Sequence, residues 1–250
     1  MKVLIGAPVR QKPEIFKRYL AGLRGLRLPE GVTVDRFFVL HNMPELAGLL
    51  EDGELWVKNQ SEDAYSVSDK THHWTNENVR QVTTMKNRLL DYTLRNGYDY
   101  FLLVDSDLIL HPETLAQLLK RRKDIIANIF WTAWHPGERP MPNAWDFDGY
   151  TFYSDSIERW KSPGCYKIGM SGACILISKK VIAAGVNYTR IPNLSYQLFS
   201  GEDRHFCVRA ACHGFDVWLE TTYPCRHLYR DNDLVDLEEE EKRRECERVL

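Results

Sequence analysis

The chain has 250 residues, a formal net charge of -2, 44% hydrophobic residues and 27% charged residues. That length is ample for one large domain with its own core, and the composition is typical of a globular protein. The near-neutral charge excludes the basic excess that nucleic-acid-binding proteins usually carry, so we expect no nucleic-acid partner.

The amino-terminal segment MKVLIGAPVR contains only a short apolar run. A secretory signal or a membrane span needs a longer run, so we expect no transmembrane segment. The six cysteines form no CxxC pair and no disulfide framework, which favours a reducing, cytoplasmic setting. Cys207, Cys212, Cys225 and His227 have spacings that fit no standard zinc site, so we expect no zinc centre.

Strands and helices alternate through the first half of the chain. Strands are predicted for KVLIGAP, TVDRFFVLHN, ELWVKN, DYFLLVDSDLIL and DIIANIFWTAW. Helices are predicted for KPEIFKRYLAGLRGL, MPELAGLLEDG, NENVRQVTTMKNRLLDYTLRNG and HPETLAQLLKRRK, the last with Pro112 at its first position. This order predicts an α/β fold with a mostly parallel, Rossmann-like sheet flanked by helices, which binds ligands at the carboxyl ends of its strands.

The second half has a different pattern. AWDFDGYTFYS contains Asp148-Gly149, a turn signal that predicts a small antiparallel hairpin. GMSGACILISKKVIAAGV predicts a loop, a strand and a short helix, and FSGEDRHFCVRAACHGF predicts a helix from near Glu202 to Gly214. DVWLET predicts a strand, followed by the segment YPCRHLY, and the charged tail DLEEEEKRRECERVL predicts an exposed helix.

Two carboxylates, Asp105 and Asp107, follow the apolar run LLV. Positions i and i+2 share a face of an extended chain, so both carboxylates are expected to reach one cation at the ligand-binding edge. Carboxylate oxygens favour Mg2+ or Mn2+, which would bridge the phosphates of a nucleotide. An isolated Asp-x-Asp, however, is better explained by helix capping or by pairing with nearby basic residues.

Asp105 and Asp107 are not an isolated pair, because several other motifs occur in a characteristic order along the chain. The chain resembles the GT-A fold of nucleotide-sugar glycosyltransferases, most closely the family 2-like enzymes. The resemblance lies in the alternating first half followed, in order, by LLVDSD, MSGACILIS, GEDRHFC and HLY. The resemblance implies one GT-A domain over 1–230, with a nucleotide-binding part at about 1–135 and an acceptor part at about 136–230. The charged helical tail at 231–250 lies outside it.

The resemblance also implies the reaction, which is metal-dependent transfer of a sugar from a nucleotide diphosphate sugar, with UDP expected, to an acceptor hydroxyl. LLVDSD resembles the DxD motif, in which Asp107 would ligate Mn2+ or Mg2+ and Asp105 would contact the ribose or the metal. His227 falls where several GT-A enzymes supply a third metal ligand. His205 and His213 are competitors close by in sequence, and a lone histidine is more often a surface or core residue.

The resemblance of GAPVR, MKNRLL and VDSD implies the donor-binding residues Pro8, Arg10, Lys86, Asn87, Asp105 and Ser106. Asn42, at the polar end of the second predicted strand, is also expected to bind the donor. Gly172 in MSGA would allow close backbone approach to the donor sugar, although a simple turn explains this glycine equally well. Asp107, together with His227, is assigned to the metal instead.

SGEDRHFC resembles the acidic ED motif, in which Asp203 would be the general base of an inverting enzyme. Glu202 would orient the acceptor hydroxyl. Two acids in a first helical turn are also favoured by the helix dipole without any catalysis. Trp134 is the acceptor-site candidate because aromatic rings stack on sugar faces, and the expected acceptor is a saccharide, a lipid-linked group or a protein.

Two alternative functions remain open. A sugar nucleotidyltransferase usually has a glycine-rich, basic loop after the first strand, whereas GAPVRQKPE has Arg10 and Lys12 without that glycine richness. A non-catalytic carbohydrate-binding protein on the same fold would bind sugar without metal-dependent turnover.

Overall fold

The computed structural model describes residues 1–62, 66–67, 72–73, 75–135, 137–146, 154–194, 201–230, 232–237 and 239. Within these ranges the chain forms six α-helices and fourteen strands. The helices are α1 (Pro13–Arg24), α2 (Asn76–Arg95), α3 (Thr114–Lys120), α4 (Ser154–Trp160), α5 (Lys179–Ala183) and α6 (Glu202–Cys212). The strands are β1 (Lys2–Val9), β2 (Thr33–His41), β3 (Leu55–Asn59), β4 (Ser66–Val67), β5 (His72–His73), β6 (Tyr100–Val104), β7 (Leu108–Ile109), β8 (Ile125–Thr132), β9 (Met141–Pro142), β10 (Ala144–Trp145), β11 (Cys165–Ile168), β12 (Met170–Ser171), β13 (Cys174–Ser178) and β14 (Val217–His227).

The central sheet has the strand order β11-β14-β8-β13-β6-β1-β2-β3. Strands β3, β2, β1, β6, β8 and β14 run in one direction, whereas β13 and β11 run in the opposite one. Short antiparallel pairs, β10 with β12 and β4 with β5, lie beside it. The mixed α/β class with a mostly parallel sheet is therefore confirmed, while the hairpin turn predicted at 148–149 lies outside the described residues.

Alternation along the strands divides the core into two layers, one on each face of the sheet. Phe101 and Leu103 belong to the layer under α2, α5 and α6, whereas Leu102 and Val104 belong to the layer under α1 and α3. Both faces of the sheet are thus covered, which explains why its strands read as continuous apolar runs.

The predicted start of α3 was wrong. The helix begins at Thr114, because residues 111–113 form a turn in which the Thr114 amide donates to the His111 carbonyl (2.9 Å). An Arg27–Glu113 ion pair (2.6 Å) and the Arg27 amide bond to the Pro112 carbonyl (2.9 Å) hold this turn against the segment after α1. Tertiary contacts therefore override the local preference of proline for a first helical position.

Two other predicted elements differ in detail. The short helix after β2 is a 3-10 helix, Pro44–Leu49, and the two segments predicted after α6 form one strand, β14. The pairing register of β14 with β8 shifts between Glu220 and Cys225, which indicates a bulge inside that strand. This bulged strand ends at His227.

The carboxyl-terminal tail is described only in part. Residues 232–237 are helical, but most of the predicted tail helix DLEEEEKRRECERVL lies outside the described residues, so that helix stays a prediction. In the part of the chain that the structure describes, no helix is long and apolar enough to cross a membrane.

Candidate functional site

A cavity of about 680 Å³ opens where the parallel strands end. Its wall comes from the carboxyl ends of β1, β2, β8 and β14, from residues that follow β1, β6, β8 and β14, and from Ala173 before β13, while α2 and the start of α6 close it. The predicted site residues that line it are Pro8, Arg10, Lys86, Asp105, Ser106, Asp107, Trp134, Glu202, Asp203 and His227. The sheet edge predicted for ligand binding thus carries the cavity, as is general for open α/β sheets.

Three predicted donor residues, Asn42, Asn87 and Gly172, do not line this cavity. Asn42 has a positive φ of 55° and bridges the backbone of Ser61, whose amide donates to Oδ1 and whose carbonyl accepts from Nδ2 (both 3.0 Å). Asn87 accepts from the Tyr188 amide (2.8 Å) and donates to the Thr189 hydroxyl (2.9 Å). Both asparagines hold neighbouring segments in place, and their donor-binding role stays a prediction.

Asp105 and Asp107 do not share one face of an extended strand, so that expectation was wrong. Strand β6 ends at Val104, and the Leu108 amide donates to the Asp105 carbonyl (3.1 Å), which closes a turn. Tyr19 on α1 fixes the end of the strand, because its hydroxyl donates to the Val104 carbonyl (2.9 Å). The turn gives the two carboxylates different neighbours.

Asp107 faces His227. The distance from His227 Nε2 to Asp107 Oδ2 is 3.4 Å, and the other ring nitrogen, Nδ1, is in hydrogen-bond contact with the Thr132 hydroxyl (2.7 Å). A metal-binding histidine is usually oriented in this way through its second nitrogen. His205, by contrast, accepts from the Ile191 amide at Nδ1 (3.2 Å).

The donor set at this position fits a hard divalent cation in part. A carboxylate and an oriented imidazole are suitable ligands for Mn2+, and phosphate oxygens and water would complete the shell. Among the described residues, no group of three or more His, Cys, Asp or Glu side chains is arranged to hold a metal ion. Asp107 and His227 are the residues that would hold the cation, and the predicted role of Asp105 at the ribose or the metal stays a prediction.

Asp105 is surrounded by negative charge. Burial raises the pKa of its carboxyl to about 7; the Lys86 ammonium opposes that rise, whereas the carboxylates of Asp107, Asp203 and Glu202 add to it. The rise comes mainly from burial, which disfavours the charged carboxylate, and the neighbouring carboxylates contribute less. A cation bound nearby would favour the charged form.

A buried ion-pair cluster joins α2 to the start of α6. Lys86 is 2% exposed, and its Nζ contacts Glu202 Oε1 (2.6 Å) and Asp203 Oδ1 (2.9 Å). Burial alone would lower the pKa of the Lys86 ammonium, but the carboxylates of Asp203, Glu202 and Asp105 raise it well above its ordinary value. Burial raises the pKa of Asp203 to about 6, against the opposing effect of Lys86. Lys86 is thus charged, and Asp203 is a stronger base than an ordinary aspartate.

Gly172 does not line the cavity but provides the space that Asp203 occupies. A Cβ atom at position 172 would lie 2.1 Å from Asp203 Oδ2 and 2.4 Å from its Cγ. The sequence MSGA thus carries a glycine here because the carboxylate approaches its backbone closely. Its observed neighbour is the candidate base, and its predicted contact with the donor stays a prediction.

We expect Gly172→Ala to destabilise the fold by about 1–3 kcal/mol, the usual cost of overpacking, because the new methyl group collides with Asp203. Chemical unfolding would measure this change. Gly48→Ala is the matched control, since a Cβ there meets nothing within 4 Å. In an Asp203→Ala background the cost should shrink, and an undiminished cost would show that Asp203 is not the group displaced.

Several cavity residues were missed by the sequence reasoning. They are Val9, Gln11, His41, Asn76, Asn78, Val79, Gln81, Val82, Met85, Phe130, Ala173, Gly201 and Tyr229. His41 at the end of β2 is buried, and Asn59 donates to its Nδ1 (2.7 Å). The polar end of the predicted second strand was a signal for this residue. The apolar spacing of Val79, Val82 and Met85 predicts the packed face of α2, but nothing in it marks that face as part of a cavity.

Comparisons with known proteins agree with this architecture. The family model described as glycosyltransferase family 25, N-terminal domain, matches residues 50–203, which is more than half of the chain. The solved structure of S. aureus TarS 1–349 in complex with UDP is similar over 90% of this chain, at 11% identity and a TM-score of 0.54. The same protein in complex with UDP-GlcNAc gives 10% identity and a TM-score of 0.50.

A third similar structure is CMP:2-keto-3-deoxy-manno-octonic acid synthetase complexed with CTP. It matches 98% of this chain and 100% of its own, at 10% identity and a TM-score of 0.54. At such identities these structures show the fold alone, and the chain spans only 59% of the TarS 1–349 chain. The family match and the shared fold confirm the prediction of a GT-A glycosyltransferase, and the chain belongs to the family described as glycosyltransferase family 25, N-terminal domain.

Proposed function

We propose that the protein is a metal-dependent glycosyltransferase that moves a sugar from a UDP-sugar to an acceptor hydroxyl with inversion at the anomeric carbon. The observation that carries this proposal is the shared cavity, into which the Asp107–His227 pair and the half-buried Asp203 both open. A cation-binding pair and a base in one cavity are the two parts that such a transfer needs.

The donor would lie across the strand ends. Asp107 and His227 would hold Mn2+ or Mg2+ together with the diphosphate, while Asp105 would contact the ribose or the metal. When bound, the cation would neutralise the charge that develops on the departing diphosphate. Pro8 near the end of β1 and Arg10 just after it lie at the cavity wall and would contact the nucleotide. The TarS complexes with UDP and UDP-GlcNAc support a uridine donor through the shared fold.

Asp203 would accept the proton of the acceptor hydroxyl. The acceptor oxygen then forms its bond to the anomeric carbon as the bond from that carbon to the diphosphate oxygen breaks. A pKa of about 6 suits this role, because the carboxylate is ionised at neutral pH yet more basic than an exposed aspartate. A positioned base of this kind is typically worth about 100- to 10,000-fold in rate.

The proposal is tested by incubating the protein with a panel of UDP-sugars and saccharide acceptors, with and without Mn2+, and measuring released UDP. We expect release that depends on Mn2+ and is lost in Asp107→Ala. Thermal stabilisation by a nucleotide diphosphate with metal would accompany it. Absence of both release and stabilisation for every nucleotide tried would contradict the donor-site assignment.

The similarity to the CTP-bound synthetase, which extends over its whole chain, favours one second candidate, a sugar nucleotidyltransferase. Such an enzyme would release pyrophosphate from a nucleoside triphosphate and a sugar or sugar phosphate. Pyrophosphate formation without UDP release would support it. Sugar binding with neither product would instead support the non-catalytic carbohydrate-binding alternative.

Trp134 is proposed to bind the acceptor. Its side chain lies at the cavity, is 41% exposed, and meets the Tyr229 ring edge-on at 5.6 Å between centroids. We expect Trp134→Ala to raise the KM for the acceptor at least about tenfold, because a stacked aromatic contact in such a site contributes roughly 0.5–1.5 kcal/mol beyond the area that it buries.

The matched control for that prediction is Trp56→Ala. Trp56 is similarly exposed (44%) but lies on the edge strand β3 and does not line the cavity. Steady-state kinetics at saturating donor would measure both variants. Equal acceptor KM values in the two would remove Trp134 from the acceptor site.

A further inference from the structure

The ammonium group of Lys86 is enclosed by protein groups. Two of its three N–H donors are directed to Glu202 and Asp203, and the Tyr188 ring lies 5.2 Å from the Nζ. Tyr188 in turn stacks on Phe206 of α6, with 4.6 Å between ring centroids and 21° between planes. Lys86 is therefore held against α6 by two ion pairs and an aromatic wall, although it was predicted to bind the donor.

The carboxylate of Asp203 is constrained at both oxygens. Lys86 holds Oδ1 at 2.9 Å, and Oδ2 occupies the space beside the Gly172 backbone where a Cβ would stand. The Gly172 segment is itself anchored, because Asn143 Nδ2 donates to the Ser171 hydroxyl (3.2 Å) and that hydroxyl donates to the Asn143 carbonyl (2.8 Å). The base candidate is thus fixed in one orientation between α2 and the start of β13.

Glu202 competes with Asp203 for the same cation. Its Oε1 lies closer to the Lys86 Nζ (2.6 Å) than Asp203 Oδ1 does (2.9 Å), and the residue is 8% exposed. A lysine that served Asp203 alone would stabilise the carboxylate strongly and weaken it as a base. Sharing the ammonium between two carboxylates limits that effect while keeping both hydrogen bonds.

We infer that Lys86 is a positioning residue that holds the Asp203 carboxylate for proton transfer, and that Glu202 shares its charge so that Asp203 remains basic. This inference rests on the proposed function and changes two assignments within it. Lys86 acts on the base and not on the donor, and Glu202 acts through Lys86 and not on the acceptor hydroxyl.

The test compares Lys86→Met, which removes the charge, with Lys86→Arg, which keeps it. Arg95→Met is the control, since Arg95 is exposed at the far end of the same helix. The first readout is a carbon NMR titration of the Asp203 carboxyl, identified by its absence in Asp203→Asn. In Lys86→Met we expect its pKa to be about 1 to 3 higher, because an adjacent opposite charge lowers a carboxyl pKa by that amount.

The second readout is calorimetric binding of UDP in the presence of Mn2+, and the third is donor turnover as a function of pH. We expect Lys86→Met to bind UDP within about twofold of the native protein. Its turnover should fall at least about tenfold, and the acid limb of the rate profile should move to higher pH. Lys86→Arg should recover part of the rate, and Arg95→Met should match the native protein in every readout.

Lys86→Met also strands two buried carboxylates, which threatens folding. The double variant Lys86→Met/Glu202→Gln removes the unpaired charge of Glu202. Asp203 still lacks its lysine in this variant, so the Asp203 titration can be measured there if Lys86→Met does not fold. Loss of UDP affinity by tenfold or more with an unchanged Asp203 titration would overturn the inference in favour of a donor-binding lysine. An Asp203 pKa that is the same in Lys86→Met and the native protein also overturns the inference, whether or not any donor is turned over. A shifted Asp203 pKa without donor turnover would contradict only the proposed reaction.

Discussion

Replacing Asp203 by asparagine is expected to lower donor turnover by about 100- to 10,000-fold, the range that a positioned general base contributes. The amide keeps the size of the side chain and still accepts from Lys86, but it cannot take the acceptor proton. The native rate should rise with pH through the Asp203 pKa of about 6 and level off above it, because the base acts in its deprotonated form. Steady-state UDP release between pH 4.5 and 8 would measure both effects, given the range in which such groups titrate.

Asp91→Asn is the control for this experiment, since Asp91 is exposed on α2 and does not line the cavity. Asp203→Asn should also keep native affinity for UDP with Mn2+, which separates a lost base from a lost donor site. If Asp203→Asn turns over normally while Asp107→Ala does not, a retaining mechanism or another base replaces the one proposed.

The second large effect is expected at the cation. Asp107→Ala should weaken Mn2+-dependent UDP binding by about 10- to 100-fold or more. Removing a group that only orients a metal ligand already lowers metal affinity by about 10- to 100-fold, and Asp107 is proposed to be a ligand itself. The removed carboxylate is the one that faces His227 at 3.4 Å. Calorimetry with and without Mn2+ would measure it, and Asp52→Ala, at an exposed turn residue, is the control.

His227→Ala separates the two members of the pair. We expect a smaller but clear loss of Mn2+ affinity, since the imidazole is oriented by Thr132 toward Asp107. An Mn2+ affinity equal to that of the native protein would remove His227 from the coordination shell and leave Asp107 as the supported ligand of the pair.

The repeating parts of this fold could be read directly from the sequence. The buried face of α1 follows from apolar spacing, and the run LLV before Asp105 predicts a strand covered on both faces. Because the predicted strands are parallel, their carboxyl ends were expected to form the ligand edge, and the cavity lies there. Periodicity and topology together therefore locate the site.

Pairings between distant segments could not be read in the same way. Lys86 and Asp203 lie 117 positions apart, and no local pattern states that an amphipathic helix will direct its lysine at the start of another helix. The turn after Val104 was missed for a related reason, because the end of the strand is fixed by a bond from the distant Tyr19, which tertiary packing brings to Val104. Side-chain contacts of this kind follow from the packed core and not from residue spacing.

The direction and register of β13 determine which residue lies beside the candidate base, Asp203. Because β13 runs against its neighbours β6 and β8, the residues that precede it, and not those that follow it, stand at the cavity. The pairing of Ile175 with Leu103 and Ala127 fixes the register of β13. It therefore also fixes the position of Gly172, three residues before Ile175. A slip of one residue would replace Gly172 by a residue with a side chain, which would collide with the Asp203 carboxylate. Substitutions that loosen the packing of β13 are therefore expected to impair chemistry at the cavity while leaving every polar residue of the site unchanged.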